Sequence, residues 1–212
     1  MLQVVCVNVG KKWGPEHVYR LKRALQIHLP LPHDFAVITD RPELYKRAVH
    51  SESVRTLPAM DNLQGWWQKV TLFADRDYVS DRVMYLDLDC CIVGDLLPIA
   101  LLGSPFVSIN DRWQVPTTNT SFMLWDHADH RFIYDEFEGP GDYIGDQNYV
   151  TNKLGGNVFH VNDWKPEWVK SFKADLMHRD PIDDERIVYF HGVPHPKDVE
   201  WVQALWSKQS HV

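Results

Sequence analysis

The chain has 212 residues, of which 44% are hydrophobic and 24% are charged. This composition is typical of a folded globular protein and excludes disordered, collagenous and coiled-coil chains. The 22 basic and 29 acidic residues give a net charge of −7, which disfavours general affinity for nucleic acid or for an anionic membrane. The length suits one α/β domain, and we expect a single domain over residues 1–212.

The N-terminal segment and the cysteines bear on the compartment. Residues 1–12 have no basic stretch ahead of an apolar run, so they predict a strand rather than a signal peptide. No apolar run approaches the length of a membrane span. Cys6, Cys90 and Cys91 are an odd number of cysteines, and the adjacent pair fits neither a zinc site nor a disulfide framework. We therefore expect a cytoplasmic protein.

The first 40 residues predict the start of a doubly wound parallel sheet. Residues 4–9 are rich in β-branched side chains, residues 16–28 carry apolar side chains at helical spacing after Pro15, and residues 35–39 predict a second strand. Ligands of such sheets bind beyond the carboxyl ends of the strands. Later elements are a helix at 67–73, strands at 82–88, 106–109, 121–125 and 187–190, and a closing helix at 198–206.

The clearest chemical signal is the pair Asp87 and Asp89, where the predicted strand 82–88 ends. In an extended chain, residues two apart point to the same face, so both carboxylates can bind one cation. Mn²⁺ and Mg²⁺ prefer oxygen ligands and keep coordination positions for phosphate oxygens. The alternative is two solvated acids, because such a short motif often occurs by chance.

A second signal follows the last predicted strand, where His191 precedes a glycine. An imidazole as third ligand would favour Mn²⁺ over Ca²⁺. Lys197 lies six residues later in a proline-punctuated loop, where its ammonium could neutralise a metal-bound diphosphate. The alternative for His191 is a hydrogen-bonded histidine at a strand end.

Taken together, these motifs resemble those of the GT-A glycosyltransferases, and specifically the family 8 type that includes glycogenin-like and bacterial galactosyltransferase enzymes. The resemblance spans nearly the whole chain and rests on residues 85–89 (YLDLD), 92–96 (IVGDL), 119–125 (NTSFMLW), 146–147 (DQ) and 191–197 (HGVPHPK). It implies a Rossmann-like α/β fold with a mixed, mostly parallel central sheet flanked by helices. It also implies transfer of a hexose from a nucleotide-diphosphate sugar, with a UDP-sugar favoured, to a hydroxyl acceptor with retention of anomeric configuration.

The same resemblance implies roles for individual residues. The metal, Mn²⁺ or Mg²⁺, would be bound by Asp87, Asp89 and His191. Donor contacts would come from Asn8, Val9, Gly10, Asp40, Lys69, Asp87, Gly192 and Lys197. The groups near the reacting carbon of the sugar would be Asp146, Gln147 and Asn119.

Each of these assignments has a structural alternative. Lys69 could be a solvated helix charge, Asn119 a turn residue and Asp146 a helix N-cap. Of the nine tryptophans, Trp66 and Trp67 could stack on a sugar ring, whereas we expect Trp125 in the core.

Other functions stay open at this point. The Asp-Leu-Asp motif also resembles the aspartyl-nucleophile motif of metal-dependent phosphatases, although that motif normally opens the chain. A non-catalytic carbohydrate-binding module would account for the tryptophans. The acceptor could be a glycan, a small molecule, a protein or a hydroxymethylated base in viral DNA, and the last would use a basic patch made of Lys11, Lys12, Arg20, Lys22 and Arg23.

Overall fold

The computed structural model describes residues 1–47, 52–60, 62–114, 116–181 and 184–209. These residues form the strands β1 (Leu2–Asn8), β2 (His33–Thr39), β3 (Arg55–Pro58), β4 (Arg82–Leu86), β5 (Cys90–Ile92), β6 (Phe106–Asn110), β7 (Thr118–Asp126), β8 (Phe159–His160), β9 (Val169–Ser171) and β10 (Ile187–Tyr189). Their α-helices are α1 (Pro15–His28), α2 (Leu97–Ala100), α3 (His127–His130), α4 (Phe132–Asp135), α5 (Asp146–Leu154), α6 (Val161–Trp164) and α7 (Glu200–Gln209). Shorter 3₁₀ segments span Pro42–Tyr45, Gly65–Phe73 and Pro196–Asp198, and one π-helical turn spans Phe172–Leu176.

Within the described ranges, seven strands form one mixed sheet in the order β3-β2-β1-β4-β7-β6-β8. The first four strands of this order are mutually parallel, β7 is antiparallel to both β4 and β6, and β8 is parallel to β6. A smaller sheet has the order β5-β10-β9. The predicted α/β architecture with a mostly parallel central sheet flanked by helices is therefore confirmed.

The opening β1-α1-β2 unit forms as its sequence predicts. Gly14 is the extended N-cap of α1, and Pro15 is the first helical residue, where its missing N–H costs nothing. The helix turns Val18, Leu21 and Leu25 toward the sheet, and all three are buried. Each such aliphatic side chain contributes roughly 1.5–3 kcal/mol through burial, so α1 is held by its inner face.

Local differences from prediction appear where strands and helices end. The strand 82–88 ends at Leu86, and residues 87–89 form a turn closed by the Cys90 N–H, which donates to the Asp87 carbonyl at 3.0 Å. Asp87 and Asp89 thus share a tight turn between β4 and β5 rather than one face of an extended strand. The predicted helix 67–73 is the 3₁₀ segment Gly65–Phe73, and the closing helix runs over Glu200–Gln209.

The core prediction for Trp125 is confirmed, since its side chain is 0% exposed and its ring lies 5.0 Å from that of Phe73 between ring centroids. None of the helices in the described ranges combines the length and apolar character that crossing a membrane requires.

The strand directions bring several polar segments to one edge of the sheet. Strands β1, β2, β4 and β6 run in the same direction, so their carboxyl ends meet there. The residues that follow these ends are Val9, Asp40, Asp87 and Asp111. The antiparallel β7 begins at the same edge, and α5 packs beside it. This edge is where ligands of open α/β sheets bind.

Candidate active site

Asp87 is held from both sides at the end of β4. Its Oδ2 accepts a hydrogen bond from Lys69 Nζ at 2.7 Å, and its Oδ1 accepts one from the Tyr85 hydroxyl. Its backbone N–H donates to the Ser121 carbonyl at 2.8 Å, which ties the turn to β7. The carboxylate therefore has a fixed orientation in the absence of any ligand.

Lys69 lies in the 3₁₀ segment and joins two carboxylates. Its Nζ is 3.8 Å from Asp146 Oδ2 and donates to Thr120 Oγ1 at 3.4 Å, in addition to its bond to Asp87. Burial alone would lower the pKa of Lys69, but the carboxylates of Asp87 and Asp146 outweigh burial, so the net shift is upward. Lys69 is thus a mostly buried, charged centre of the site and not a solvated helix charge.

Asp146 is the first residue of α5, and Gly145 is the N-cap, so Asp146 itself is not the cap. Its side chain is buried, and its Oδ2 accepts a hydrogen bond from the Thr120 hydroxyl at 2.5 Å. Burial raises the pKa of Asp146, while Lys69 and Thr120 oppose that rise. Asp87, Asp146, Lys69 and Thr120 form one cluster, called below the charge cluster.

Asn119 and Gln147 lie beside the charge cluster and share a partner that the sequence did not single out. Asn119 is a buried residue of β7, not a turn residue. Asp111 Oδ2 accepts hydrogen bonds from Asn119 Nδ2 at 3.0 Å and from Gln147 Nε2 at 3.3 Å. Asp111 follows β6 as Asp87 follows β4, and that position at a strand end is the signal by which it could have been found.

Asp89 differs from Asp87 in having a buried carboxylate oxygen, Oδ1, without a hydrogen-bond partner among the described residues. Burial first, and the nearby Asp87 second, raise the pKa of Asp89 to about 7, while the positive charges of Lys69 and Lys12 act in the opposite direction. Lys12 was predicted only as part of a basic patch, so its influence on Asp89 is new.

The loop after β1 brings two predicted donor-binding residues together. The Gly10 N–H donates to Asp40 Oδ2 at 3.0 Å, and Gly10 adopts a positive φ of 68°. Asn8 is 1% exposed; its Nδ2 donates to the Tyr45 hydroxyl at 2.6 Å, and its Oδ1 is buried without a hydrogen-bond partner among the described residues. Val9, between them, is half-buried.

The loop after β10 carries the remaining predicted residues. His191 is half-buried, its Nε2 lies 3.1 Å from Ser171 Oγ, and it accepts a hydrogen bond from Trp113 Nε1 at 3.3 Å. Burial lowers the pKa of His191, which favours the neutral imidazole that binds metals. Gly192 and Lys197 are exposed, and the loop meets the β1–α1 loop through the rings of His195 and Trp13, whose centroids are 5.5 Å apart.

One oxygen at the turn 87–89 is suited to a divalent cation. The turn supplies oxygen ligands, and the unpartnered Oδ1 of Asp89 is a buried oxygen that a hard cation would satisfy. Within the described ranges, no three or more His, Cys, Asp or Glu side chains are grouped so as to hold a metal. The unpartnered oxygen of Asp89 suits a cation, and metal ligation by Asp87, Asp89 and His191 stays a prediction.

Comparison with known proteins gives no family-model match and no match among curated proteins. Solved structures do match. The glycosyltransferase GlyE of Streptococcus pneumoniae TIGR4 superposes with a TM-score of 0.68 at 13% identity, covering 99% of this chain and 60% of GlyE. The chain thus has the fold of a GT-A-like glycosyltransferase.

The galactosyltransferase LgtC, in complex with donor and acceptor sugar analogues, gives a TM-score of 0.63 at 12% identity. An active-site mutant of LgtC gives a TM-score of 0.65 at 14% identity, and both comparisons cover 99% of this chain and 95% of LgtC. At these identities the likeness concerns the GT-A-like fold.

Proposed function

We propose that this protein is a metal-dependent glycosyltransferase, of the family 8 type, that moves a hexose from a nucleotide-diphosphate sugar to a hydroxyl acceptor. A UDP-sugar is the favoured donor. The observation that carries the proposal is the charge cluster, in which Lys69 contacts Asp87 and approaches Asp146 to 3.8 Å, at the ligand-binding edge of a glycosyltransferase fold. Such fixed charges stabilise the charge that develops in a transition state.

The two carboxylates of the turn, Asp87 and Asp89, would hold the divalent cation, with His191 as an imidazole ligand. Mn²⁺ or Mg²⁺ bound there would supply positive charge to the departing nucleoside diphosphate. Lys197 and the backbone of Gly192 would bind phosphate oxygens from the opposite side. Both residues are exposed and accessible to a donor.

The remaining site residues would bind and orient the donor. Gly10 and Asp40, joined by a hydrogen bond of 3.0 Å, would contact the nucleoside together with Asn8 and Val9. Asp146 and Gln147, at the start of α5, would lie near the reacting carbon of the sugar. The LgtC mutant used for comparison has a glutamate in place of an active-site glutamine, and Gln147 is the glutamine at the candidate site here.

Two competing functions are disfavoured by particular contacts. Both carboxylate oxygens of Asp87 accept hydrogen bonds, from Lys69 and Tyr85, which leaves a poor nucleophile for a phosphatase. The basic patch proposed for DNA is partly engaged inside the protein, since Lys22 pairs with Glu52 at 2.5 Å and the Arg20 guanidinium lies over the Trp206 ring at 4.2 Å.

The proposed acceptor is a glycan, a small molecule or a protein, with a modified DNA base disfavoured by the engaged basic patch, and the proposed compartment is the cytoplasm. Buried, free thiols at Cys6, Cys90 and Cys91 support a reducing compartment.

A thermal-shift matrix tests the donor site. UDP, GDP, UDP-glucose, UDP-galactose and GDP-mannose are each added with Mn²⁺ or with EDTA. We expect one nucleotide family to raise the melting temperature in Mn²⁺ only, by roughly 5–10 °C at a hundredfold excess over Kd. Asp163→Asn, which alters an exposed carboxylate, should keep this shift, whereas Asp89→Asn should lose it. The absence of a shift with every nucleotide would contradict the proposal.

A further inference from the structure

Asp111 is a buried carboxylate with no assigned role. It follows β6 directly, is 5% exposed, and its backbone N–H donates to the Thr117 carbonyl at 2.7 Å. A carboxylate removed from water in this way requires hydrogen-bond donors around it. The groups that donate hydrogen bonds to Asp111 therefore indicate what this carboxylate does.

One oxygen of Asp111 faces the amide groups of the candidate site. Its Oδ2 accepts from Asn119 Nδ2 at 3.0 Å and from Gln147 Nε2 at 3.3 Å. A carboxylate only accepts hydrogen bonds, so it selects the NH₂ end of each amide. The carbonyl ends point elsewhere: Asn119 Oδ1 accepts from the Ser121 N–H at 2.9 Å, and Gln147 Oε1 accepts from the Thr120 N–H at 3.3 Å. Both amides are therefore held at both ends.

The other oxygen of Asp111 folds the loop that follows. Its Oδ1 accepts from the backbone N–H groups of Trp113 at 2.7 Å and Gln114 at 3.0 Å, which is the hydrogen-bond pattern of an Asx turn. This turn places Trp113 so that its indole N–H donates to His191 Nε2 at 3.3 Å. One carboxylate thus connects the amide pair to the loop that carries His191.

We infer that Asp111 is a positioning residue that fixes the orientation of the Asn119 and Gln147 amides beside the charge cluster, and that folds the loop bearing Trp113 against His191. For its effect on catalysis this assignment rests on the proposed function, because the amides matter to turnover only if a sugar reacts beside them. The positioning itself is a property of the protein without ligand and is measured there.

The variant Asp111→Asn separates the two parts of this role, the orientation of the amides and the folding of the Trp113 loop. Asparagine has the same shape but only one acceptor oxygen, and it is well suited to an Asx turn, so that oxygen keeps the N–H groups of Trp113 and Gln114. Its NH₂ group then faces the NH₂ groups of Asn119 and Gln147, donor against donor. At least one of these amides must rotate or move away.

The measurement is the ¹H–¹⁵N spectrum of the side-chain amides in the protein without ligand. The signals of Asn119 and Gln147 are assigned from their loss in Asn119→Asp and Gln147→Glu. In Asp111→Asn we expect at least one of them to shift and to exchange its protons faster, while the indole N–H signal of Trp113 stays in place. Asp163→Asn is the matched control, since Asp163 is an exposed carboxylate of the same region whose hydrogen-bond donor is Asn110, at 3.4 Å.

Unchanged signals of both amides in a folded Asp111→Asn variant would overturn the inference. Should that variant not fold, Gln147→Met tests the same bond from the other side, because methionine has a similar length and donates nothing. The ¹³C signal of the Asp111 carboxyl should then shift, and an unchanged signal would again overturn the assignment.

The kinetic consequence is measured as donor turnover. Asp111→Asn should lower kcat about 10- to 100-fold with the donor KM nearly unchanged, as is typical when a supporting hydrogen bond is lost. An unchanged kcat would show that Asp111 does not contribute to turnover. If the wild type turns over no nucleotide-sugar while the amide signals respond as expected, the proposed function fails and the positioning role stands.

Discussion

The candidate site has two sides that are held in different ways. On the strand-edge side, Lys69 bonds Asp87 at 2.7 Å and lies 3.8 Å from Asp146, and the three side chains are mostly buried. On the loop side, Gly192 and Lys197 are exposed, and the neighbouring Val193 is 72% exposed. The strand-edge side is therefore preorganised by its own contacts, whereas the loop side has few buried contacts.

This contrast has a physical origin. The strand-edge side consists of residues at the ends of β4 and β7, at the start of α5 and in the 3₁₀ segment Gly65–Phe73, which packs against α5. The loop side follows the short strand β10 of the smaller sheet. Substitutions on the strand-edge side should therefore alter both stability and activity, and those on the loop side activity alone.

Lys69→Met should have the largest effect on stability. It leaves Asp87 and Asp146 without their shared cation, and breaking a buried ion pair costs about 3 to 5 kcal/mol in the free energy of unfolding. The loss should be smaller at pH 5 than at pH 8, because burial raises the pKa of Asp146 and Lys69 no longer opposes that rise, so the Asp146 carboxyl takes up a proton more readily. Denaturant unfolding at both pH values measures it, with the exposed Lys46→Met as control. A change below 1 kcal/mol in the free energy of unfolding at pH 8 would show that the contacts of the strand-edge side stabilise the fold no more than those of the loop side.

Asp89→Asn should act in the opposite direction. The pKa of Asp89 is raised from 3.8 to about 7, so the folded state keeps its proton over a range in which the unfolded chain has lost it. Ionised Asp89 therefore lowers the free energy of unfolding as the pH rises from about 4 to about 7. In EDTA the variant should be more stable than wild type by about 1 to 2 kcal/mol at pH 8, with no difference at pH 4. Equal stability of the variant and the wild type at both pH values would contradict a buried Asp89 carboxylate whose charge is not compensated.

Gly10→Ala should cost less, about 1 to 2 kcal/mol, because alanine is strained at a φ of 68° although nothing lies within 4 Å of the added Cβ. Gly103→Ala is a close control, since its Cβ also meets open space and its φ is not in the left-handed region. Chemical denaturation of both variants measures the difference. Equal stabilities of the two variants would mean that the β1–α1 loop relaxes to accept alanine, and that it resembles the loop side rather than the strand-edge side.

Lys197→Met should have the smallest effect on stability, within about 0.5 kcal/mol of wild type, because the side chain is exposed. Donor turnover should nevertheless fall by about tenfold or more, since the cation proposed to bind the leaving diphosphate is lost. The control is Lys208→Met in α7, also exposed, which should leave turnover unchanged. A large loss of stability, or equal turnover in both variants, would overturn the assignment of Lys197 to the loop side.

The fold could be predicted from sequence wherever local patterns govern it. The alternation of strand, glycine-bearing loop and proline-started helix identified β1, α1 and β2, and the apolar runs located β4 and β7 to within a few residues. The end of β4 was placed two residues too late, because the apolar run continues to Leu88 and the backbone bond from Asp87 to Ser121 is long-range. As a result, the geometry of the carboxylate pair was predicted wrongly although its position was right.

The partners within the site are long-range and were missed for that reason. Lys69 meets Asp146 across 77 positions of sequence, and no local pattern encodes that contact. Asp111 belongs to no motif, and only its place after an apolar strand distinguishes it from other acidic residues. Asp146, Gln147 and Asn119 were named because the resemblance implied them, and the structure adds that Asp111 accepts hydrogen bonds from the two amides.

Release of nucleoside diphosphate from a panel of UDP- and GDP-sugars tests the central claim most directly, with Mn²⁺ or EDTA, in wild type, Asp87→Asn and Asp163→Asn. The account predicts Mn²⁺-dependent release from one donor by the wild type and by Asp163→Asn, and a loss of about 100-fold or more in Asp87→Asn. No release from any donor, or equal release by Asp87→Asn, would contradict a glycosyltransferase centred on the charge cluster.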